Sequence, residues 1–293
     1  MTWEEAFNSW SQPPAKTEQE RCEKAEKAIR NAIEASNKLK YKDIKIFAQG
    51  SYRNNTNVRK ESDVDIGILC RNTFFFDIPS GTTREQFGIT PATYSYKEFK
   101  NDVQDALVSY FGASAVTRGN KAFDIHKNSY QVDSDVAAFF EHRRYNSSGG
   151  YSSGVELEPD NGGRVINWPE QHYENGVSKN TDTSRRFKAL VRIHKSLCNY
   201  MYDKGIAEAK VIPSFLLECL IWNVPNSNFG NSTYSDDVRN CMIFLYNNTK
   251  TQDKCNEWGE VSDLKYLFRD GQKWSREQAN AFIQAAWNQV GFK

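Results

Sequence analysis

The 293-residue sequence predicts an α+β protein: a mixed sheet with helices in the first part of the chain and a helical lobe at the C-terminal end. Three observations carry this. Short runs near residues 43–48 and 64–70 alternate apolar and polar residues with a period of two, as strands with one buried face do, and a further strand-like run at 130–140 ends in the apolar stretch Val136 to Phe140. Longer segments repeat apolar residues at helical spacing, and the strand-like runs cease near residue 175. The expected division is therefore 1–174 for the sheet-bearing lobe and 175–293 for the helical one.

From Thr17 to Leu39 the chain is rich in Glu, Lys and Ala, with Cys22, Ala25, Ile29, Ile33 and Ala35 near helical spacing and no proline. A long amphipathic helix joining the two lobes is expected there. Asp43 to Ala48 reads as a strand, followed by a Gly50-Ser51 turn and a polar stretch to Ser62. The run Val64 to Cys70 alternates again and reads as a second strand. Tyr96 to Phe111 carries Phe99, Val103, Leu107, Tyr110 and Phe111 on one helical stripe. Further strands are expected at Ala113–Val116, Ala122–His126 and Tyr130–Phe140. Val155-Glu156-Leu157 and Val165-Ile166-Asn167 flank Asp160-Asn161-Gly162-Gly163, a hairpin-turn signal. Helices follow at Ser184–Tyr202, at Ser214–Asn223 behind Pro213, at Asp236–Asn247 and at Ser275–Val290.

A hydrophobic fraction of 39% provides for a sizeable core, which excludes a disordered or fibrous chain. The formal charge of +1 gives no overall basic field for long nucleic acid, so any phosphate site must be local. The six cysteines are scattered without metal-ligand spacing, as expected of buried reduced thiols rather than a structural zinc. With neither a signal-peptide pattern nor a membrane-length apolar run, a cytoplasmic protein without a membrane is expected.

The chemistry concentrates in Gly50-Ser51-Tyr52-Arg53-Asn54-Asn55-Thr56 and, after a short polar connection, Asp63-Val64-Asp65-Ile66. Two carboxylates one residue apart on a strand project from the same face. Their mutual repulsion calls for a cation between them, and an all-oxygen donor set favours Mg2+ or Mn2+ over zinc. Gly50 lets an anion approach the main chain, and the Ser51 hydroxyl lies beside it, so this turn is a candidate holder of phosphate oxygens. Phosphoryl transfer by two metals calls for a third carboxylate. Asp133 and Asp135 share a parity and both qualify. Asp135, which opens the apolar run Val136 to Phe140, is preferred. Each signal alone is weak, since an isolated Asp-x-Asp is usually a solvated strand or turn. Their joint order and spacing are specific.

The run from Gly50 to Ile66 resembles the signature of DNA polymerase β-like nucleotidyltransferases, and most resembles that of the bacterial CD-NTases of CBASS antiphage defence. Asn167-Trp168-Pro169-Glu170-Gln171-His172-Tyr173-Glu174-Asn175-Gly176 and the helix around Arg185-Arg186-Phe187-Lys188 are similar to stretches of that group. The resemblance covers most of residues 40–225 and is weak in the last seventy or so. It implies a polymerase β-like nucleotidyltransferase core with a C-terminal helical lobe, nucleotides bound in the cleft between them, and two Mg2+ ions held by Asp63, Asp65 and Asp135.

It further implies that Lys188 grips the donor triphosphate, with Lys195 two turns along as the second choice, and that Ser214 assists. Asn167 would read uracil, against the plainer role of an Asn ending a hairpin strand. Phe215 is a candidate base-stacker or a core residue, and His172 a structural hydrogen-bonder rather than a base. The substrates would be ribonucleoside triphosphates, ATP and UTP among them, and the product a cyclic dinucleotide, uridine-containing through Asn167, sensed by a separate effector protein. The alternatives are a related enzyme making linear oligonucleotides or cyclic purine dinucleotides such as cyclic GMP-AMP, and a nucleotide-binding scaffold without catalysis. The absence of a Cys/His zinc insertion argues against activation by long double-stranded DNA.

Overall fold

The computed structural model describes residues 1–13, 16–58, 64–126, 133–269 and 271–293. Along the chain, α1 (Trp3–Trp10) and α2 (Lys16–Ala35) precede β1 (Ile44–Ala48), α3 (Gly50–Asn54), β2 (Val64–Asp77) and α4 (Tyr96–Phe111). Next come β3 (Val116–Arg118), β4 (Phe123–Ile125), β5 (Ser134–Tyr145), β6 (Tyr151–Leu157) and β7 (Val165–Asn167). Then follow α5 (Pro169–Asp182), α6 (Arg186–Asp203), α7 (Ala207–Lys210), α8 (Ser214–Trp222), α9 (Tyr234–Thr249), α10 (Gln252–Cys255) and α11 (Arg276–Val290).

Two compact units result, one of Ala15–Arg53 and Glu61–Pro169 and the other of Met1–Pro14, Asn54–Lys60 and Glu170–Lys293. This division differs from 1–174 and 175–293, because the first helix and the segment from Asn54 fall in with the helical unit.

In the sheet unit the strands run β1-β2-β5-β4-β3, with β6 paired to β5 and β7 to β6. The sheet is mixed, as expected: β2 and β5 are parallel, and the other pairs antiparallel. One face packs under helices. Phe99 of α4 stacks on Phe140 of β5 at 5.4 Å, and Tyr96 donates a 2.9 Å hydrogen bond to the Ala138 carbonyl. The apolar stripe of α2, Cys22, Ala25, Ile29, Ala32 and Ile33, joins the same core, so this helix packs within the sheet unit. The hairpin at Asp160–Gly163 forms as expected, joining β6 to β7. The expected strand at 113–116 is instead a tight turn, in which Ala115 N donates to Gly112 O, and strand pairing begins at Val116.

The helical unit is built on α6, α8, α9 and α11, whose inward faces supply most of its apolar core. The first helix, α1, escapes sequence reading but is well specified: Thr2 and Glu5 form a reciprocal capping box, and Phe7 is wholly buried. Trp3 and Trp10 pack on Tyr200, and Glu4 accepts hydrogen bonds from the backbone of Tyr234 and Ser235 at the start of α9. The expected helix at 184–202 begins at Arg186, since Ser184 and Arg185 take left-handed φ of 50° and 68°. All six cysteines are buried. Among the described residues, no helix is long and apolar enough to cross a membrane.

Candidate active site

Asp65 of β2 and Asp135 of β5 are direct register partners on neighbouring parallel strands. Such strands lie about 4.8 Å apart and partner side chains leave the sheet on the same side, so the two carboxylates stand next to each other. The alternation places them on the face opposite α4, whose contacts are with Ala138 and Phe140 of the other parity. Asp63, the third expected ligand, lies outside the described residues, as do 130–132 of the expected third strand. Asp133 has its carbonyl committed to the ladder, accepting from Val64 N at 3.1 Å.

The Gly50-Ser51 stretch, expected as a turn, opens the short helix α3 and sits against Asp65. Gly50 has φ of 67°, and a Cβ at this position would overlap Asp65 Oδ2, so a glycine is required both by conformation and by space. Gln49 N donates to the Asp65 carbonyl at 2.9 Å, fixing the start of the turn on β2. Ser51 is half-buried one residue on. On the same face Phe47 lies over Gly67 and near Phe139, giving the acids an apolar neighbour. The donor set is oxygen-only and the carboxylates are adjacent, which fits a divalent cation of the magnesium type.

A further acid was missed in the sequence: Asp124 of β4 is the antiparallel partner of Asp135, so Asp65, Asp135 and Asp124 stand in one row across three strands. Only the strand register reveals it, because Asp124 sits in a three-residue strand with no acidic repeat. Asn167, the expected base reader, ends β7, is exposed, and pairs with Val155, itself the partner of Glu141. Glu141 and Asp135 are six apart on β5, so Asn167 shares the carboxylate face.

In the helical unit, Lys188 of α6 is buried to 9% exposure, with its ammonium 5.6 Å from the centre of the Tyr173 ring. Burial lowers its pKa from the ordinary value, with Glu218 opposing the shift. Lys195 is deeper, and its Nζ lies 3.5 Å from Glu218 Oε2. Glu218 also accepts from Thr56 Oγ1 at 2.8 Å and pairs with His172 Nε2 at 2.9 Å. Burial alone would raise the Glu218 carboxyl, but Lys195, His172 and Thr56 together hold it down at about 2. His172 thus takes the expected hydrogen-bonding role. Ser214 and Phe215 are exposed at the start of α8, with the Phe215 ring between His172 at 5.8 Å and Trp274 at 5.9 Å.

Arg192 completes the arrangement. Its guanidinium donates to the Ser11 carbonyl at 2.9 Å and 2.5 Å, and to the Asn55 carbonyl at 2.5 Å. With Thr56 held by Glu218, the end of the Gly50–Thr56 motif is fastened by both charge and main chain. Sequence reading passed over Glu218, since a single acid in the apolar run of α8 has no partner nearby in sequence.

Comparison with known proteins agrees with this geometry. Residues 29–116 match the model of the nucleotidyltransferase domain, and residues 174–291 that of the cGAS/DncV-like nucleotidyltransferase C-terminal helical domain. The cyclic dipyrimidine nucleotide synthase CdnE of Cecembia lonarensis is 45% identical, over 99% of this chain and 98% of the relative. The enzyme of the same name from Legionella pneumophila is 43% identical over 99% and 98%. The solved Rhodothermus marinus CdnE c-UMP-AMP synthase, bound to Apcpp and Upnpp, superposes with a TM-score of 0.87 at 29% identity, covering 99% of this chain and 98% of that one. With full-length relatives at this identity and carboxylates paired across β2 and β5, the chain belongs to the bacterial cGAS/DncV-like nucleotidyltransferases, the CD-NTases, and is a nucleotidyltransferase.

Proposed function

We propose that this enzyme joins ribonucleoside triphosphates into a uridine-containing 3′,3′-cyclic dinucleotide, a second messenger of antiphage defence read by a separate effector protein. The observation that carries the chemistry is the in-register pair Asp65 and Asp135 with Gly50 packed against Asp65. The names of the Cecembia and Legionella relatives support pyrimidines, and the exposed Asn167 on the carboxylate face is the group proposed to read uracil through its donor and acceptor.

In this mechanism Asp63, Asp65 and Asp135 hold the divalent cations, proposed as two Mg2+. Bound there, the cations supply neutralisation of triphosphate charge and a lowered pKa for the attacking hydroxyl. Gly50 and Ser51 orient the donor phosphates. Lys188 and Ser214 are the residues of the helical unit proposed to bind triphosphate, and Lys195, its charge balanced by Glu218, supports the helix that presents Lys188. Asp135 receives the proton of the acceptor 3′-hydroxyl as its oxygen bonds to the donor α-phosphorus. The bond from that phosphorus to the β-phosphate bridging oxygen breaks, and pyrophosphate leaves. The linear intermediate still carries one triphosphate. A second transfer of the same kind closes the ring and releases a second pyrophosphate, so two triphosphates give one ring, two pyrophosphates and two protons.

Offering all four ribonucleotides with Mg2+ and analysing the product by mass spectrometry after phosphatase treatment tests this reading. A phosphatase-resistant dinucleotide containing uridine is expected. A product fully degraded by phosphatase overturns cyclisation, and a ring made only of purines overturns the role given to Asn167.

A further inference from the structure

Asn167 is followed by Trp168, and the surroundings of that indole reach further than packing. Trp168 is only 2% exposed. It lies over Gly154 of β6, where a Cβ would stand 2.8 Å from the indole Cδ1 and Nε1 and 2.7 Å from the carbonyl oxygen of Asn167 itself. Real Cβ atoms do not approach that closely, so the space that a glycine leaves open is filled by this dipeptide. Above the ring, the Arg144 guanidinium carbon is 4.1 Å from the centroid, within cation–π range, and His142 meets it edge-on at 5.9 Å.

The residues beneath form a network of acidic side chains with a histidine and an arginine. His142 Nδ1 is 2.7 Å from Glu156 Oε2, and its Nε2 is 3.4 Å from Asp77 Oδ2. Arg164 donates to both oxygens of Glu156, at 2.5 Å and 2.9 Å, and to Asp77 at 3.1 Å. His142 and Glu156 are fully buried, so their orientation is held by hydrogen bonds rather than solvent. The register explains the division of labour. Gly154 pairs with His142, while Asn167 pairs with Val155, one residue on. Successive residues alternate faces, so Trp168 is anchored on one side of the sheet and Asn167 is presented on the other, with Asp65 and Asp135.

We infer that Gly154, Arg144 and Trp168 act as a clamp that sets the position of Asn167, and that they are positioning residues for base selection. The inference rests on the reading of Asn167 given under Proposed function. A base edge is read by hydrogen bonds whose strength falls steeply with small displacements, so a shift of the Asn167 main chain alters which base is accepted without touching the carboxylates.

The test uses the full chain and an equimolar mixture of four ribonucleoside triphosphates, with the bases of the product counted by mass spectrometry and total pyrophosphate release measured alongside. Asn167→Ala, Gly154→Ala and Arg144→Gln are each expected to change the pyrimidine-to-purine ratio by about tenfold. In Gly154→Ala and Arg144→Gln, pyrophosphate release should stay near that of the parent. Arg144→Gln removes the cation over the indole without adding bulk, so it carries the test if Gly154→Ala does not fold. A changed ratio in Asn167→Ala with an unchanged ratio in Gly154→Ala and Arg144→Gln overturns the clamp and leaves the Asn167 reading standing. An unchanged ratio in Asn167→Ala overturns that reading and the clamp's role together.

Discussion

Thr56 donates a 2.8 Å hydrogen bond to Glu218 from 162 positions away in sequence, and the carboxylate that accepts it is buried with Lys195 and His172 as its other partners. A buried charge in this position is stable only as long as each partner is present. Glu218→Gln keeps the size and hydrogen-bonding capacity of the side chain but strands the Lys195 ammonium without a counter-charge. A loss of about 3 kcal/mol in unfolding free energy is expected, as for breaking a buried ion pair. Urea denaturation of the two proteins at neutral pH measures it, and equal midpoints and slopes would remove Glu218 from the account.

The same carboxylate sets a pH dependence. Its folded pKa of about 2 lies below the ordinary 4.5, so it binds fewer protons in the native state than in the unfolded one through that interval. Its contribution to stability is therefore complete above about 4.5 and is lost as the pH falls toward 2. Glu218→Gln has no such titration. The gap in stability between parent and variant should shrink across this window on acidification. A gap that stays constant from neutral pH down to the acid end would contradict the assignment.

How much of this was legible in the sequence follows from the range of each interaction. The β2 carboxylate, the helix at Tyr96–Phe111 and the Asp160–Gly163 turn rest on local periodicity and turn chemistry, and they appear where the pattern put them. Helix α5 was not delineated, because only Gly176 and Lys179 are buried along it and it presents no apolar stripe. The row of Asp65, Asp135 and Asp124 depends on which strands are neighbours and in what register, which no single segment encodes. Glu218 and Arg192 are of the same kind. Their partners, Thr56, Ser11 and Asn55, are brought to them only by the packing of the helical unit.

Asp65 and Asp135 are adjacent like charges, and they repel in the absence of a cation. Asp65→Asn removes one of the two carboxylates and should abolish nucleotide consumption, by about a thousandfold or more. Adding Mg2+ should stabilise the parent, by about 2.7 kcal/mol at a hundred times the dissociation constant, and leave the variant almost unchanged. Differential scanning fluorimetry with and without Mg2+ gives the second readout independently of activity. A variant that still gains stability from Mg2+ would locate the metal elsewhere.

Gly50 and Asp65 make a sharper demand on one position. At φ of 67° an alanine is strained by about 1–2 kcal/mol, and its Cβ would occupy the place of the Asp65 carboxylate oxygen. Gly50→Ala is expected to lower turnover far more than it lowers stability, because the acid must move before the fold fails. Parallel measurement of turnover and unfolding free energy separates the two. A variant that loses stability but keeps its turnover would show that the turn does not set the carboxylate.

Two residues beyond Asp65, Gly67 lies beneath the ring of Phe47, and a Cβ there would overlap the ring edge. The phenyl group is 7% exposed and sits on the carboxylate face near Phe139, so it cannot swing away without opening the core. Gly67→Ala should cost about 1–3 kcal/mol by overpacking. Phe47→Leu should cost about as much by leaving a void. Combined, the smaller side chain makes room for the methyl group, so the double variant should be more stable than the sum of the two losses predicts. A coupling of about 1 kcal/mol or more in a double-mutant cycle is the expected result. Strict additivity would mean that the ring and the strand relax independently, and that the apolar wall beside Asp65 is softer than its packing indicates.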